Sequence, residues 1–230
     1  MPRPELAARR GYQLALDVGC GPGALTTELV KRLGSAAVTA VDPSEQFVRA
    51  ARERLPGVNV VRASAEHLPF PDGSFDAVLA QLVVHFMADA VAGLTEMTRV
   101  TRSGGVVAAS VWDHAGGQGP LGAFWEAARV LDPDVADESD LAGAREGHLE
   151  ELFEAAGLQK IEATILSASV EHPTFQEWWE PFTFGVGPAG SYTAGLDPDR
   201  QGRLRNLCRE RFPNEPFVVT ARAWAARGLA

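Results

Sequence analysis

The strongest constraint on the fold lies near the N-terminus, in the run Leu14-Ala-Leu-Asp-Val-Gly-Cys-Gly-Pro-Gly-Ala24. A short apolar stretch, Leu14–Val18, contains an acid, Asp17, and breaks into Gly19, Gly21 and Gly23. Glycine accepts backbone angles that other residues resist, and it leaves no side chain between backbone and an approaching ligand. The next stretch, Ala24–Leu33, carries Leu25, Leu29 and Leu33 at four-residue spacing, the period of a helix face. A strand, a glycine turn and a helix in that order begin a β-α-β unit, and so a parallel sheet.

The rest of the chain continues the alternation. The apolar pattern predicts strands at Ala37–Val41, Val58–Arg62, Phe75–Ala80 and Gly105–Trp112. It predicts a helix over Pro43–Arg54, with Pro43 in the tolerated first turn and Phe47, Val48, Ala51 and Leu55 on one face. A helix over Ala88–Val100 carries Val91, Leu94, Met97 and Val100, and Gly147–Gly157 reads as a helix with a glycine stop. Leu158–Val170 and Phe217–Trp224 complete the set as sixth and seventh strands. The expectation is an α/β fold: a Rossmann-like, seven-stranded, mostly parallel sheet with helices on both faces. The 230 residues suit a single domain, 1–230, with its binding core at 12–112. Insertions at 113–146 and 171–216 follow strands five and six and read as lids, since loops that long in a compact domain are usually functional.

Composition removes several function classes. A formal charge of −9 opposes non-specific nucleic-acid binding, which depends on clustered Lys and Arg. Arg203, Arg205, Arg209 and Arg211 are interleaved with other residues and read as a solvated helix face. No apolar run reaches the ~18 residues of a membrane span, and the N-terminus lacks an apolar signal core. Only two cysteines occur, Cys20 and Cys208, which fits a reducing, cytoplasmic setting.

The glycine turn by itself admits two readings. Gly19-x-Gly21-x-x-Ala24 matches a dinucleotide fingerprint, with Asp42 near the ribose position. Asp17 speaks against it, because an acid two residues before the first glycine would repel a pyrophosphate at the helix N-terminus. A cofactor carrying a cationic centre and an ammonium would be attracted instead.

Four segments together resemble the class I S-adenosylmethionine-dependent methyltransferases, in particular the small-molecule enzymes related to ubiquinone and menaquinone methylation. They are LALDVGCGPG (14–23), AVDPS (40–44), ASAEHLPFPDGSFDAV (63–78) and VTRSGGVVAASVW (100–112). The resemblance implies S-adenosylmethionine as cofactor and assigns residues to it. Asp17 would sit near the methionine ammonium, through water. Gly19, Cys20 and Gly21 would offer backbone to the methionine and ribose portion. Asp42 would take both ribose hydroxyls, two acceptor oxygens meeting two vicinal donors; its alternative role is to cap the helix that follows. Pro43 would pack on the adenine face, the Ala65 amide would donate to the adenine ring beside Ser64, and the Gln81 carbonyl would face the ammonium. Glu66 reads as solvated, and Cys20 as a small buried filler. The chain departs from its relatives in having Ser64 where many carry Asp. It also has only thirteen residues before the first strand, enough for one short helix, so an open cofactor site is expected.

In-line transfer from a sulfonium asks the protein mainly to position and desolvate the acceptor. An acid or base is needed only when the nucleophile must lose a proton. His85, Asp113 and His114 are the candidates, with His85 and His114 preferred; His85 reads equally as a core histidine. Phe124 and Trp125 in the first insertion, with Phe175, Trp178, Trp179, Phe182 and Phe184 in the second, suggest either an apolar acceptor pocket or a small core of their own. No metal-ligand spacing occurs. The expected partner is a small-molecule methyl acceptor, with no nucleic acid, no membrane span, and a homodimer left open. An NAD(P)-dependent oxidoreductase and a non-catalytic cofactor-binding protein are the competing readings.

Overall fold

The computed structural model describes residues 13–230. The helix expected within 1–13 therefore falls, apart from Gln13, outside the described residues, as does any cover it would give the cofactor. The strands are β1 (Ala15–Val18), β2 (Val38–Asp42), β3 (Asn59–Arg62), β4 (Phe75–Gln81), β5 (Thr101–Trp112), β6 (Gln159–His172) and β7 (Phe217–Leu229). They form one sheet in the order β3-β2-β1-β4-β5-β7-β6. The pairs β1–β2, β1–β4, β2–β3 and β4–β5 are parallel. β7 runs against β5: Gly104 bonds to Ala230 at one end, and Asp113 to Arg222 at the other. The sheet is thus mixed, mostly parallel and seven-stranded.

The helices in chain order are α1 (Ala24–Leu33), α2 (Glu45–Arg54), α3 (Ala90–Val100), α4 (Gly122–Leu131), α5 (His148–Ala155), α6 (Phe175–Trp179), α7 (Gly187–Gly195) and α8 (Pro198–Arg211). Crossovers through α1 and α2 step one way along the sheet from β1, and the crossover through α3 steps the other way from β4. Right-handed connections then put α1 and α2 on one face and α3 on the opposite face. The strand order reverses between β1 and β4, where ligands of such sheets bind beyond the carboxyl ends.

Two compact units divide the chain. One holds residues up to Val111 with Glu146–Thr164 and Trp224–Ala230; the other holds Trp112–Arg145 and Ile165–Ala223. The first is built on buried Leu16, Val18, Val38, Val41, Val78, Leu94, Met97, Leu149 and Phe153. The second has its own core, in which Phe124, Trp125, Phe175, Trp178, Trp179 and Phe182 are buried among Ala127, Ala128, Leu204 and Cys208. Phe124 and Phe182 lie 4.6 Å apart by ring centroids, and Trp178 and Phe182 meet edge-on at 5.0 Å. Six of the seven aromatics that suggested a pocket are therefore packed on one another; Phe184 alone is exposed. The arginines of α8 are structural as well as solvated. Arg205 and Arg209 cover the Phe175 ring, Arg209 pairs with Glu215, and Arg211 pairs with Glu126.

Local chemistry explains where the elements begin. Ser44 caps α2 by accepting from Phe47 N, so Pro43 lies before the helix and not in its first turn. Phe47 is 44% exposed, off the buried face that Val48 and Ala51 define. Asp89 caps α3 by accepting from Ala92 N at 2.9 Å. The segment 68–72 is held by Arg99 on α3, whose guanidinium donates to the carbonyls of Leu68 and Phe70 and to Asp72. Among the described residues no helix is long and apolar enough to cross a membrane.

Candidate active site

The candidate residues of the first unit gather at the carboxyl ends of four adjacent strands. Asp17 lies near the end of β1, Gly19–Gly21 follow it, Asp42 ends β2, Ser64 and Ala65 follow β3, and Gln81 ends β4 opposite Ser110 of β5. Pro43 and Gln81 are exposed, Ser64 is half-buried and Ala65 is buried.

The turn after β1 is tied to β2. Gly19 N and Cys20 N both donate to Val41 O, at 2.8 and 2.9 Å, and Gly21 N donates to Asp42 Oδ2 at 2.9 Å. Asp42 Oδ1 accepts from Ser44 N at 2.8 Å. Asp42 therefore braces the turn while Ser44 caps the helix. The three amides are thus engaged within the protein, and the Cys20 carbonyl accepts from Gly23 N at 2.9 Å. A phosphate-binding turn needs the reverse, with amides facing the ligand.

Asp17 is 0% exposed. Its Oδ2 accepts from Thr26 Oγ1 at 2.6 Å, which ties the carboxylate to the first turn of α1. Burial raises its pKa from 3.8 to about 6, against the Thr26 hydroxyl and amide, which lower it, while Asp42 raises it slightly. Asp17 Oδ1 is buried without a hydrogen-bond partner. A buried acceptor in that state calls for a donor, and an ammonium or a water bridging to one fits it. Cys20 is buried with Ala40, Val48, Ala51 and Val60, and burial pushes its thiol up to about 12. It is a small filler, as expected.

Two of the glycines have different jobs. A Cβ on Gly19 would lie 2.8 Å from Val83 Cγ2, so Gly19 exists to admit Val83 from the segment after β4. A Cβ on Gly21 would meet nothing within 4 Å, and its φ of +53° is left-handed. Gly19→Ala is expected to lose several kcal/mol through clash and strain, on the order of 3. Gly21→Ala should remain folded at a loss of ~1 kcal/mol. Chemical denaturation of the two variants checks the contrast.

Three contributors were not legible in advance. Thr26, the one fully buried residue of α1, holds Asp17, yet a threonine in an amphipathic helix carries no signal of that role. Leu82 adopts φ +60°, which turns the chain after β4 so that Val83 reaches Gly19. Glu66 is half-buried and does more than face solvent: its Oε1 accepts from Ala88 N at 2.9 Å and lies 3.4 Å from Asp89 N, joining the segment after β3 to the start of α3.

The proton-transfer candidates separate. His85 is buried in the turn Val84–Phe86, with its ring 4.0 Å from that of Phe86. Asp113 and His114 belong to the second unit. Asp113 Oδ1 accepts from Gly116 N at 2.8 Å, and its carbonyl accepts from Gln118 and Gly119, so it shapes the turn after β5. His114 Nδ1 lies 3.7 Å from Glu138 Oε2, which accepts from Trp125 Nε1 at 2.9 Å. Burial lowers the His114 pKa, against nearby Glu138, Asp137 and Asp113, which raise it.

Comparison with known proteins agrees with this geometry. Residues 16–109 match a family model described as a methyltransferase domain. That stretch runs from β1 into β5 and holds every candidate residue named above except His114 and Asp113. The chain is similar to a trans-aconitate 2-methyltransferase of Rhodopseudomonas palustris (strain BisB18), 39% identical over 98 residues, covering 43% of this chain and 38% of that protein. It is also similar to a demethylmenaquinone methyltransferase of Staphylococcus aureus (strain MRSA252), 37% identical over 107 residues, covering 45% and 44%. The chain thus spans less than half the length of these relatives. Among solved structures, the YcgJ protein of Bacillus subtilis has the same fold, with a TM-score of 0.60 and 18% identity over 98% of this chain and 97% of that one. Methyltransferase domains of this class take S-adenosylmethionine as methyl donor, the cofactor expected from the four sequence segments.

Proposed function

We propose that this protein transfers a methyl group from S-adenosylmethionine to a small apolar or aromatic acceptor. The observation that carries the reading is the combination of an inward-facing amide turn with a buried, half-satisfied Asp17. It suits a cationic cofactor and opposes a pyrophosphate. The cofactor supplies the activated methyl and its leaving group. Asp42 offers its two oxygens to the ribose hydroxyls while still accepting from Gly21 and Ser44, since each carboxylate oxygen accepts more than one bond. Asp17 draws the ammonium end through its unpaired oxygen, and the Gln81 carbonyl faces the same group. Carbonyls of Gly19, Cys20 and Gly21 border the methionine and ribose portion, Pro43 covers the adenine face, and Ser64 with the Ala65 amide meets the adenine edge. His85 is the proposed base for a hydroxyl acceptor. The two free cysteines, both buried, support a cytoplasmic setting.

Calorimetric titration with S-adenosylhomocysteine, NAD and NADP tests the cofactor. Binding of the first alone is expected; binding of NAD or NADP instead would overturn the reading. Turnover of a panel of phenols, quinols and carboxylic acids tests the activity. With saturating cofactor, His85→Ala should lower kcat by about 100-fold or more if it is the base. An unchanged kcat removes that role.

A further inference from the structure

We propose that β6 is a dimerisation edge, along which a second copy of this chain pairs antiparallel about a two-fold axis at Ala168. The inference does not depend on methyl transfer. β6 ends the sheet, so its outer side presents a row of backbone donors and acceptors. Every residue from 162 to 171 is exposed, with Ile165 at 44%, Leu166 at 51% and Val170 at 57%. The stretch Ala163–Val170 contains no charge, proline or glycine. Those are the devices that keep exposed edges from pairing, and here Lys160, Glu162 and Glu171 flank the stretch without entering it.

The side chains match their own two-fold copy. Leu166, Ala168 and Val170 share one face of the strand, and Ile165, Ser167 and Ser169 share the other. A two-fold perpendicular to the sheet preserves faces, so it must pair residues of the same face. Centred on Ala168, it sets Leu166 opposite Val170 of the second copy and Val170 opposite Leu166, covering the two most exposed apolar side chains of the strand. On the other face it sets Ser167 opposite Ser169, two hydroxyls within bonding reach of each other. Ser169 also bonds Thr220 of β7 at 2.8 Å, which continues a hydroxyl row inward from the edge. A registry one residue off centre on the same axis, at Ser167, would face Leu166 with Ala168 and leave Val170 against Thr164, burying less apolar surface.

Sedimentation velocity across the micromolar range reads the dimer directly. Leu166→Lys sets an exposed charge into the apolar face and is expected to raise the dimer dissociation constant about tenfold or more, with an unchanged circular dichroism spectrum. Ala168→Cys is expected to form a disulfide-linked dimer under mild oxidation, because opposed residues of an antiparallel pair lie about 5 Å apart, within disulfide reach. Val170→Cys should not cross-link, since its counterpart lies roughly 13 Å along the strand. Cys20 and Cys208 are buried and give no background. A protein that stays monomeric throughout overturns the proposal. So does a dimer that survives Leu166→Lys without the Ala168→Cys cross-link, or one in which Val170→Cys cross-links in its place.

Discussion

Asp42→Ala is expected to reduce S-adenosylhomocysteine affinity by about 100-fold or more, the loss of two charge-assisted hydrogen bonds at ~1.5 kcal/mol or more each. The change also removes the acceptor of Gly21 N and of Ser44 N. Each amide left without a partner costs about 1–3 kcal/mol, so the turn after β1 loosens and the folded protein weakens with it. Asp42→Asn separates the two effects. The amide oxygen still braces one backbone N–H, so most of the fold survives, while the amide nitrogen presents donors where the ribose needs acceptors. Titration calorimetry on both variants, with urea unfolding alongside, gives the comparison. Wild-type affinity in a folded Asp42→Asn protein would remove Asp42 from ribose recognition and leave it a bracing residue.

Asp17→Asn should have opposite effects on stability and binding. The folded pKa of Asp17, about 6, stands above its ordinary 3.8. Its contribution to stability is therefore fully present below pH 3.8 and is lost as pH rises through 6. The displacement corresponds to roughly 3 kcal/mol, an upper bound on what the neutral asparagine recovers at pH 7. In a chain of this size that is a rise of up to roughly 10 °C in melting temperature. The ligand-free wild type should lose stability between pH 4 and 6.5 relative to the variant. Cofactor affinity should follow the other sign. An ammonium beside Oδ1 favours the carboxylate, so wild-type binding strengthens as pH rises to about 6 and then levels off. The variant should bind weakly with no such slope. Equal slopes in the two proteins would show that another group titrates.

Much of the fold was legible because period follows burial. Ala24–Leu33 forms the helix its leucine spacing predicts, and the strands lie within a few residues of their apolar runs. Errors came where tertiary contacts overrode local pattern. The apolar pattern starts the fifth strand at Gly105, yet β5 begins at Thr101 and absorbs Gly104 in an irregular pairing with β4. β7 continues past Trp224 to Leu229 because β5 and β6 flank it on both sides. The aromatic residues of the two insertions carried no sign of whether they would face a ligand or one another.

Sequence alone determined the order of the elements, the placement of the glycine turn and the two acids beside it. Those follow from local chemistry: apolar spacing sets helix and strand, and only glycine suits the left-handed turn. The directions of atoms were decided by the tertiary structure. Only the neighbouring strand turns the amides of Gly19, Cys20 and Gly21 inward. Only packing beneath α1 buries Asp17 and gives it Thr26 as partner. Only the strand order leaves the uncharged stretch of β6 at an open edge, because pairing partners far apart in the chain cannot be read from either one by itself.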